Sequence, residues 1–164
     1  MARSDMFFKA TGQRTGVIAG ESTDKTFANQ IDVVDWSWGM TAPSAVGGTR
    51  TARTQLSDLK LVKRVDKAST AMMQGLNNNE LLTSAVLSVR KAGGSNPAPY
   101  LVITLTNARF TSYSVESDIG ETGAPVLTEN WSLSFKSIQI DHTVQSEAGA
   151  SLGGSSFTGE AAPE

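Results

Sequence analysis

Between residues 100 and 106 the sequence alternates strictly, with Leu101, Ile103 and Leu105 on one side of an extended chain and Thr104 and Thr106 on the other. A helix would scatter these side chains around its axis, so this period demands a β-strand with one buried face. Upstream, Ala85-Val86-Leu87-Ser88-Val89-Arg90-Lys91 alternates in the same way. The link over 92–99 holds two glycines and two prolines, which suits a hairpin loop, so residues 83 to 115 read as an antiparallel pair.

Two other stretches change phase. In Asn130 to His142 the apolar positions are odd through Trp131, Leu133 and Phe135, then even at Ile138 and Ile140. One extra residue near Lys136 and Ser137, a β-bulge, would return all five to one side and bend the strand. Ile31 to Met40 changes parity between Val33 and Val34. Two bent strands favour a curled sheet or barrel over a flat sheet. One helix is expected after Asp66, with Ser69 as N-cap and with Met72, Met73 and Leu76 spaced to dock one stripe on the sheet.

Two segments lack such patterning. Residues 41–53, including Pro43, Ser44, Gly47, Gly48 and Arg50, read as a long polar loop between strands. Residues 146–164 are rich in Gly, Ala and Ser and offer little but Leu152 and Phe157 to bury. They are expected to be a disordered or weakly docked tail behind a β domain over 1–145.

Composition restricts the chemistry. Among 164 residues there is no cysteine and one histidine, His142. Disulfide frameworks, thiolate catalysis, cysteine-ligated metals and multi-histidine metal sites are excluded. Asp141 next to His142 points to the opposite strand face, and no Gly-x-Ser-x-Gly supplies a strained nucleophile, so catalysis is not expected. Gly16 to Ser22 resembles half a phosphate loop, but Glu21 stands where a lysine is needed, which leaves a turn. Glu116, Asp118 and Glu121 fit no calcium-loop spacing and read as a solvated loop. Lys60, Lys63, Arg64 and Lys67 are interleaved with Leu59, Leu61, Val62 and Val65, as on a half-exposed strand. A net charge of −2 gives no footprint for nucleic acid. No run of 18 apolar residues predicts a membrane span, and Met1 to Lys9 lacks the apolar core of a cleaved signal. No cofactor or metal is expected.

Several motifs together carry a family likeness. Gly20-Glu21-Ser22-Thr23-Asp24-Lys25-Thr26, Ile31-Asp32-Val33 and Trp36-Ser37-Trp38-Gly39-Met40 are followed in order by Val65-Asp66-Lys67-Ala68-Ser69 and Val89-Arg90-Lys91-Ala92-Gly93-Gly94. Tyr100-Leu101, Ile103-Thr104-Leu105 and Leu127-Thr128-Glu129-Asn130 complete the series. Over roughly residues 6 to 145 the chain resembles the haemolysin-coregulated protein (Hcp) family of bacterial type VI secretion systems. It departs from that pattern at Phe27, where a histidine is common, and at Thr70, where a proline often opens the helix. At its C-terminal end it has only Ser156-Phe157-Thr158-Gly159-Glu160 where many members carry an aromatic-Gly-Trp-Asp-like strand.

The resemblance implies a small antiparallel β-barrel with a flanking α-helix, assembling into a hexameric ring. Rings then stack into an expelled inner tube that carries effector cargo. The implied partners are the chain itself, a tip (spike) protein, the sheath and effectors, and the implied route is from the bacterial cytoplasm to the exterior. On that reading the barrel core includes Trp36, Trp38, Leu101, Ile103, Leu105, Leu133 and Phe135, with Met72, Met73 and Leu76 packing the helix. Ser37 faces the lumen and cargo, and loop 41–53 reaches a neighbouring ring or protomer. Four wall strands per protomer would make about 24 strands at about 4.8 Å, a lumen at least about 37 Å across at the backbone. The alternatives are a monomeric small-molecule or carbohydrate-binding barrel with Trp36, Trp38 and Trp131 in its pocket, and a contractile phage tail-tube protein.

Overall fold

The computed structural model describes residues 5–42, 54–91, 98–145 and 151–161. In chain order the strands are β1 (Met6–Gly12), β2 (Gly16–Ile18), β3 (Ile31–Asp32), β4 (Asp35–Ser37), β5 (Met40–Thr41), β6 (Gln55–Leu56) and β7 (Leu59–Arg64). After helix α1 (Ala68–Asn77) come β8 (Leu82–Val89), β9 (Leu101–Thr106), β10 (Arg109–Ile119), β11 (Pro125–Ser134), β12 (Ser137–Gln145) and β13 (Ser151–Glu160). The fold is thus mostly β with one short helix.

The described strands form a seven-stranded sheet ordered β13-β12-β9-β8-β1-β2, with β3 also on β1, and a four-stranded sheet ordered β10-β11-β7-β4. A two-stranded ribbon, β5-β6, stands apart. Each of these pairings is antiparallel. Among the described residues the ladders leave both large sheets open at their edges, so no barrel closes within one chain.

Both phase changes have a cause other than the expected bulges. Ser134 ends β11 in the four-stranded sheet, and Ser137 begins β12 in the seven-stranded one. Likewise β3 pairs with β1, whereas β4 pairs with β7 in the other sheet. At each phase change the chain crosses from one sheet to the other, and the flip keeps its apolar residues on the shared core. Within β10 a register shift between Phe110 and Ser112 carries Phe110 and Tyr113 to the same face.

That shared core includes Phe8, Ile31, Leu87, Ile103, Leu105 and Ile138 from one sheet and Leu59, Leu61, Trp131 and Leu133 from the other. Phe135 is also buried, whereas Leu101, Trp36 and Trp38 are only partly buried and pack against the core from its margin. The tryptophans lie there because β4 is a three-residue edge strand with one neighbour. On α1, Met72 is fully buried and Met73 and Leu76 partly so. Truncating Met72 to Ala would cost about 2–5 kcal/mol.

Ser69 is not the N-cap, because the helix already starts at Ala68 behind Lys67. The Asp66 carboxylate takes the Ala68 N–H at 3.0 Å instead. The tail expected to be disordered or weakly docked contains β13, paired along its length with β12. Its described side chains are almost all exposed, so the backbone ladder rather than burial holds it.

Candidate functional site: a polar sheet face above a buried ion pair

The four-stranded sheet separates two chemistries by strand period. On the core side one row runs Tyr113, Trp131, Leu61, Trp36 across the four strands. On the opposite side the matching row is Ser112, Ser132, Lys60, Ser37, and beside it run Ser114, Asn130, Val62 and Asp35. A third outer row holds Glu116, Thr128 and Arg64, where Arg64 Nη1 donates to Thr128 Oγ1 at 3.0 Å. The first two of these rows line a shallow groove, with Ser37, Ser112, Ser114, Asn130 and Ser132 alongside Lys60 and Val62. Such a face offers hydrogen bonds to many surfaces and no apolar anchor to any one.

Directly beneath it lies an ion pair that the sequence reading did not identify. Lys63 and Glu129 have fully buried side chains, and Lys63 Nζ donates to Glu129 Oε1 at 2.6 Å. The same ammonium reaches Ser69 Oγ, Asp66 Oδ1 and the Arg64 carbonyl, each at 3.0 Å. The Ser69 hydroxyl in turn donates to Glu129 at 2.7 Å. Desolvation alone would raise the Glu129 pKa, but the hydrogen bonds from Lys63 and Ser69 outweigh it and hold the carboxyl below its ordinary value. Tyr113 responds in the opposite sense, its phenol pushed up to about 12 by burial first and then by Glu129. The pair joins β7, β11 and the start of α1.

The signal for this pair was present in the strand phase. Lys63 shares its parity with the buried Leu59 and Leu61, and Glu129 with the buried Trp131 and Leu133. Opposite charges in the apolar phase of two strands specify a pair. The expected basic cluster therefore splits, with Lys60 and Arg64 exposed and Lys63 in the core.

A second polar cluster pins the loop between β2 and β3 to the outer face of the larger sheet. Arg90 donates to Asp24 at 2.6 Å and to Asp5 at 3.3 Å, and its guanidinium lies over the rings of Phe7 and Phe27 at 5.2 and 5.8 Å. Phe27 stacks on Phe7 with centroids 4.5 Å apart, which accounts for an aromatic ring at that departure from the family pattern. The Arg90 hydrogen bond holds the Asp24 carboxyl below its usual pKa.

Ser37 is exposed on the polar outer face. Pro43, Ser44, Gly47, Gly48 and Arg50 lie outside the described residues. His142 is exposed and meets Tyr100 edge-on at 6.4 Å, while the Asp141 carboxylate accepts from Ser156 at 2.7 Å. Glu116 and Asp118 belong to the strand β10 rather than a loop, because the β11 ladder extends the hairpin to Ile119 and Pro125. Gly16, with φ of 78°, begins β2 just after the turn of the first hairpin, as a turn reading of that segment requires. The Glu80 carboxylate anchors this turn through the Arg14 and Thr15 N–H groups at 3.2 and 3.0 Å.

Comparison with known proteins gives concordant matches. The family model described as type VI secretion system effector, Hcp, matches residues 7–142. Protein hcp1 of Pseudomonas aeruginosa strain PAO1 is 38% identical over 153 residues, covering 92% of this chain and 90% of that protein. Among solved structures, a type VI secretion system effector from Yersinia pestis superposes with a TM-score of 0.74 at 24% identity, over 95% of this chain and 99% of the other. The secreted protein Hcp3 from Pseudomonas aeruginosa gives a TM-score of 0.74 at 15% identity, over 96% of this chain and 98% of the other.

Proposed function

Because the chain belongs to the Hcp family of type VI secretion systems, we propose that it is a structural subunit of the secretion tube, forming stacked hexameric rings that are expelled with effector cargo in the lumen. The observation that carries this reading is the four-stranded sheet, with one face in the core and the other polar and uncovered. Four strands per copy is the count that gives a ring of six about 24 wall strands and a conduit too wide to be filled by side chains. The face bearing Ser37, Lys60, Ser114 and Asn130 lines the lumen, and its small polar groups hold cargo without sequence-specific anchoring.

The remaining expectations extend the same reading. Loop 41–53 contacts the next ring or protomer, and the tip protein, sheath and effectors are the other partners. The chain works as a structural element rather than an enzyme, and it leaves the cell through the machine it helps to build. A monomeric carbohydrate binder is disfavoured because Trp131, whose ring would have to be open to a ligand, is 1% exposed and packs in the core. Native mass spectrometry tests the proposal. A ring gives six times the 17.3 kDa chain mass, and a chain that stays monomeric at every concentration overturns it.

A further inference from the structure

Of the described residues that line the groove on the outer face of the four-stranded sheet, Lys60 alone is charged, and it is exposed. The register sets Ser132 of β11 directly opposite it on one side and Ser37 of β4 directly opposite on the other, with Ser112 one strand further along the row. Directly opposed residues on one face have Cβ atoms about 5 Å apart, so the lysine stem rises between two hydroxyls. An ammonium flanked in this way holds a carboxylate well. It supplies the charge and the hydroxyls supply further donors.

The chain's own carboxylates leave that position open. Asp35, in the adjacent row, accepts the Trp36 N–H at 2.9 Å, and Asp58 accepts from the Thr111 hydroxyl at 2.8 Å. Among the described residues Lys60 enters no ion pair. The exposed Glu116 and Asp118 of β10 lie about 14 and 20 Å beyond Ser112 along the strand direction. Both distances exceed the Debye length of about 8 Å at physiological ionic strength, so neither group neutralises Lys60. Arg64, further along the Lys60 strand toward Glu116, is already committed to Thr128. The face thus divides into a cationic level at Lys60 and an acidic end at the β10–β11 hairpin.

We propose that Lys60, with the Ser37 and Ser132 hydroxyls, is a cargo-contact site that takes carboxylates, so that the tube favours cargo presenting an acidic protein surface. The proposal deepens the tube reading and rests on it, since a ring sets one such ammonium per copy around the lumen at a single level. Complementary charge selects a class of surface rather than a sequence, which suits a wall with no apolar anchor. Ser37 leaves the ammonium open because its side chain is short; a long side chain at that position would cover Lys60.

Native mass is read first for the unmodified chain, for K60M and K60Q, and for K9M as a control, Lys9 being exposed on the outer face of the larger sheet. Calorimetric titration then uses three probes at low and at physiological salt: a short Glu-Ser repeat peptide, its Gln-Ser counterpart, and a single-stranded oligonucleotide of the same charge. The expected result is binding of the Glu-Ser peptide that both Lys60 variants weaken about tenfold or more, as the loss of a charge-assisted contact does. K9M should leave it unchanged and added salt should weaken it. No binding to the unmodified chain, binding that survives in K60M and K60Q, or equal binding of the Gln-Ser peptide overturns the site. Tighter Lys60-dependent binding of the oligonucleotide overturns the assignment to protein carboxylates. A chain that stays monomeric yet binds the Glu-Ser peptide through Lys60 overturns the ring and the lumen placement, and leaves the carboxylate site standing.

Discussion

Removing one member of the Lys63–Glu129 pair should destabilise the chain far more than replacing both. The two charges are fully buried and 2.6 Å apart, so the loss of either leaves the other desolvated. Breaking a buried pair in this way costs about 3–5 kcal/mol. The structure ranks the two losses. Without Glu129, Lys63 keeps Asp66 at 3.0 Å as a counter-charge, which places E129Q near the lower end of that range. Without Lys63, Glu129 keeps the Ser69 hydroxyl but no cation at the pair, which places K63M near the upper end. For a chain of this size that is a fall in Tm of about 6–20 °C. Thermal unfolding followed by circular dichroism, at one protein concentration because assembly adds its own stabilisation, measures both. The double variant K63M/E129L removes both desolvation costs and should be more stable than either single variant. Single variants that shift Tm by less than about 2 °C, or a double variant as damaged as the sum of the two, would refute the reasoning.

Four further outcomes are expected. In acid, the depressed carboxyls of Glu129 and Asp24 contribute stability that is complete above the unfolded-state pKa, about 4, and is lost as pH falls through their lower folded values. A urea midpoint that holds to pH 4 and then drops checks this. Asp32 behaves in the opposite way: burial first, then the charges of Asp66, Asp24 and Glu21, raise its pKa, so its ionised form is disfavoured in the fold. D32N should therefore raise Tm by about 1–3 °C at pH 7 and have less effect at pH 4, measured by scanning calorimetry. Ultraviolet titration should show Tyr113 ionising near pH 12, a step absent in Y113F. Replacing Ser37 by Arg should leave rings intact and impair cargo retention in a co-purification assay, and unchanged retention would remove Ser37 from the lumen.

The alternation of Leu101, Ile103 and Leu105 made β9 readable, because a central strand with one buried face leaves a strict period. The phase changes at Val33/Val34 and Lys136/Ser137 were also visible, but periodicity reports a change of face and not its cause. A bulge and a crossing between sheets give the same pattern, and only the pairing partners separate them. Lys63 and Glu129 were hidden by charge. Their strand phase placed them inside, but the expectation that charged residues face water masked it. Strand β13 left no trace because its Ser and Gly side chains bury little, and its placement comes from hydrogen bonding to β12. Glu116 and Asp118 read as a loop for a related reason, since their strand is set by the β11 ladder and not by a buried face, whereas Glu121 does lie in the turn beyond it.

Negative-stain electron microscopy of the purified chain tests the central claim most directly. The account predicts six-fold rings with an open centre whose backbone diameter is at least about 37 Å, with some rings stacked end to end. Fields of solid, compact particles the size of a single 17.3 kDa chain, at concentrations from dilute to crowded, would contradict it.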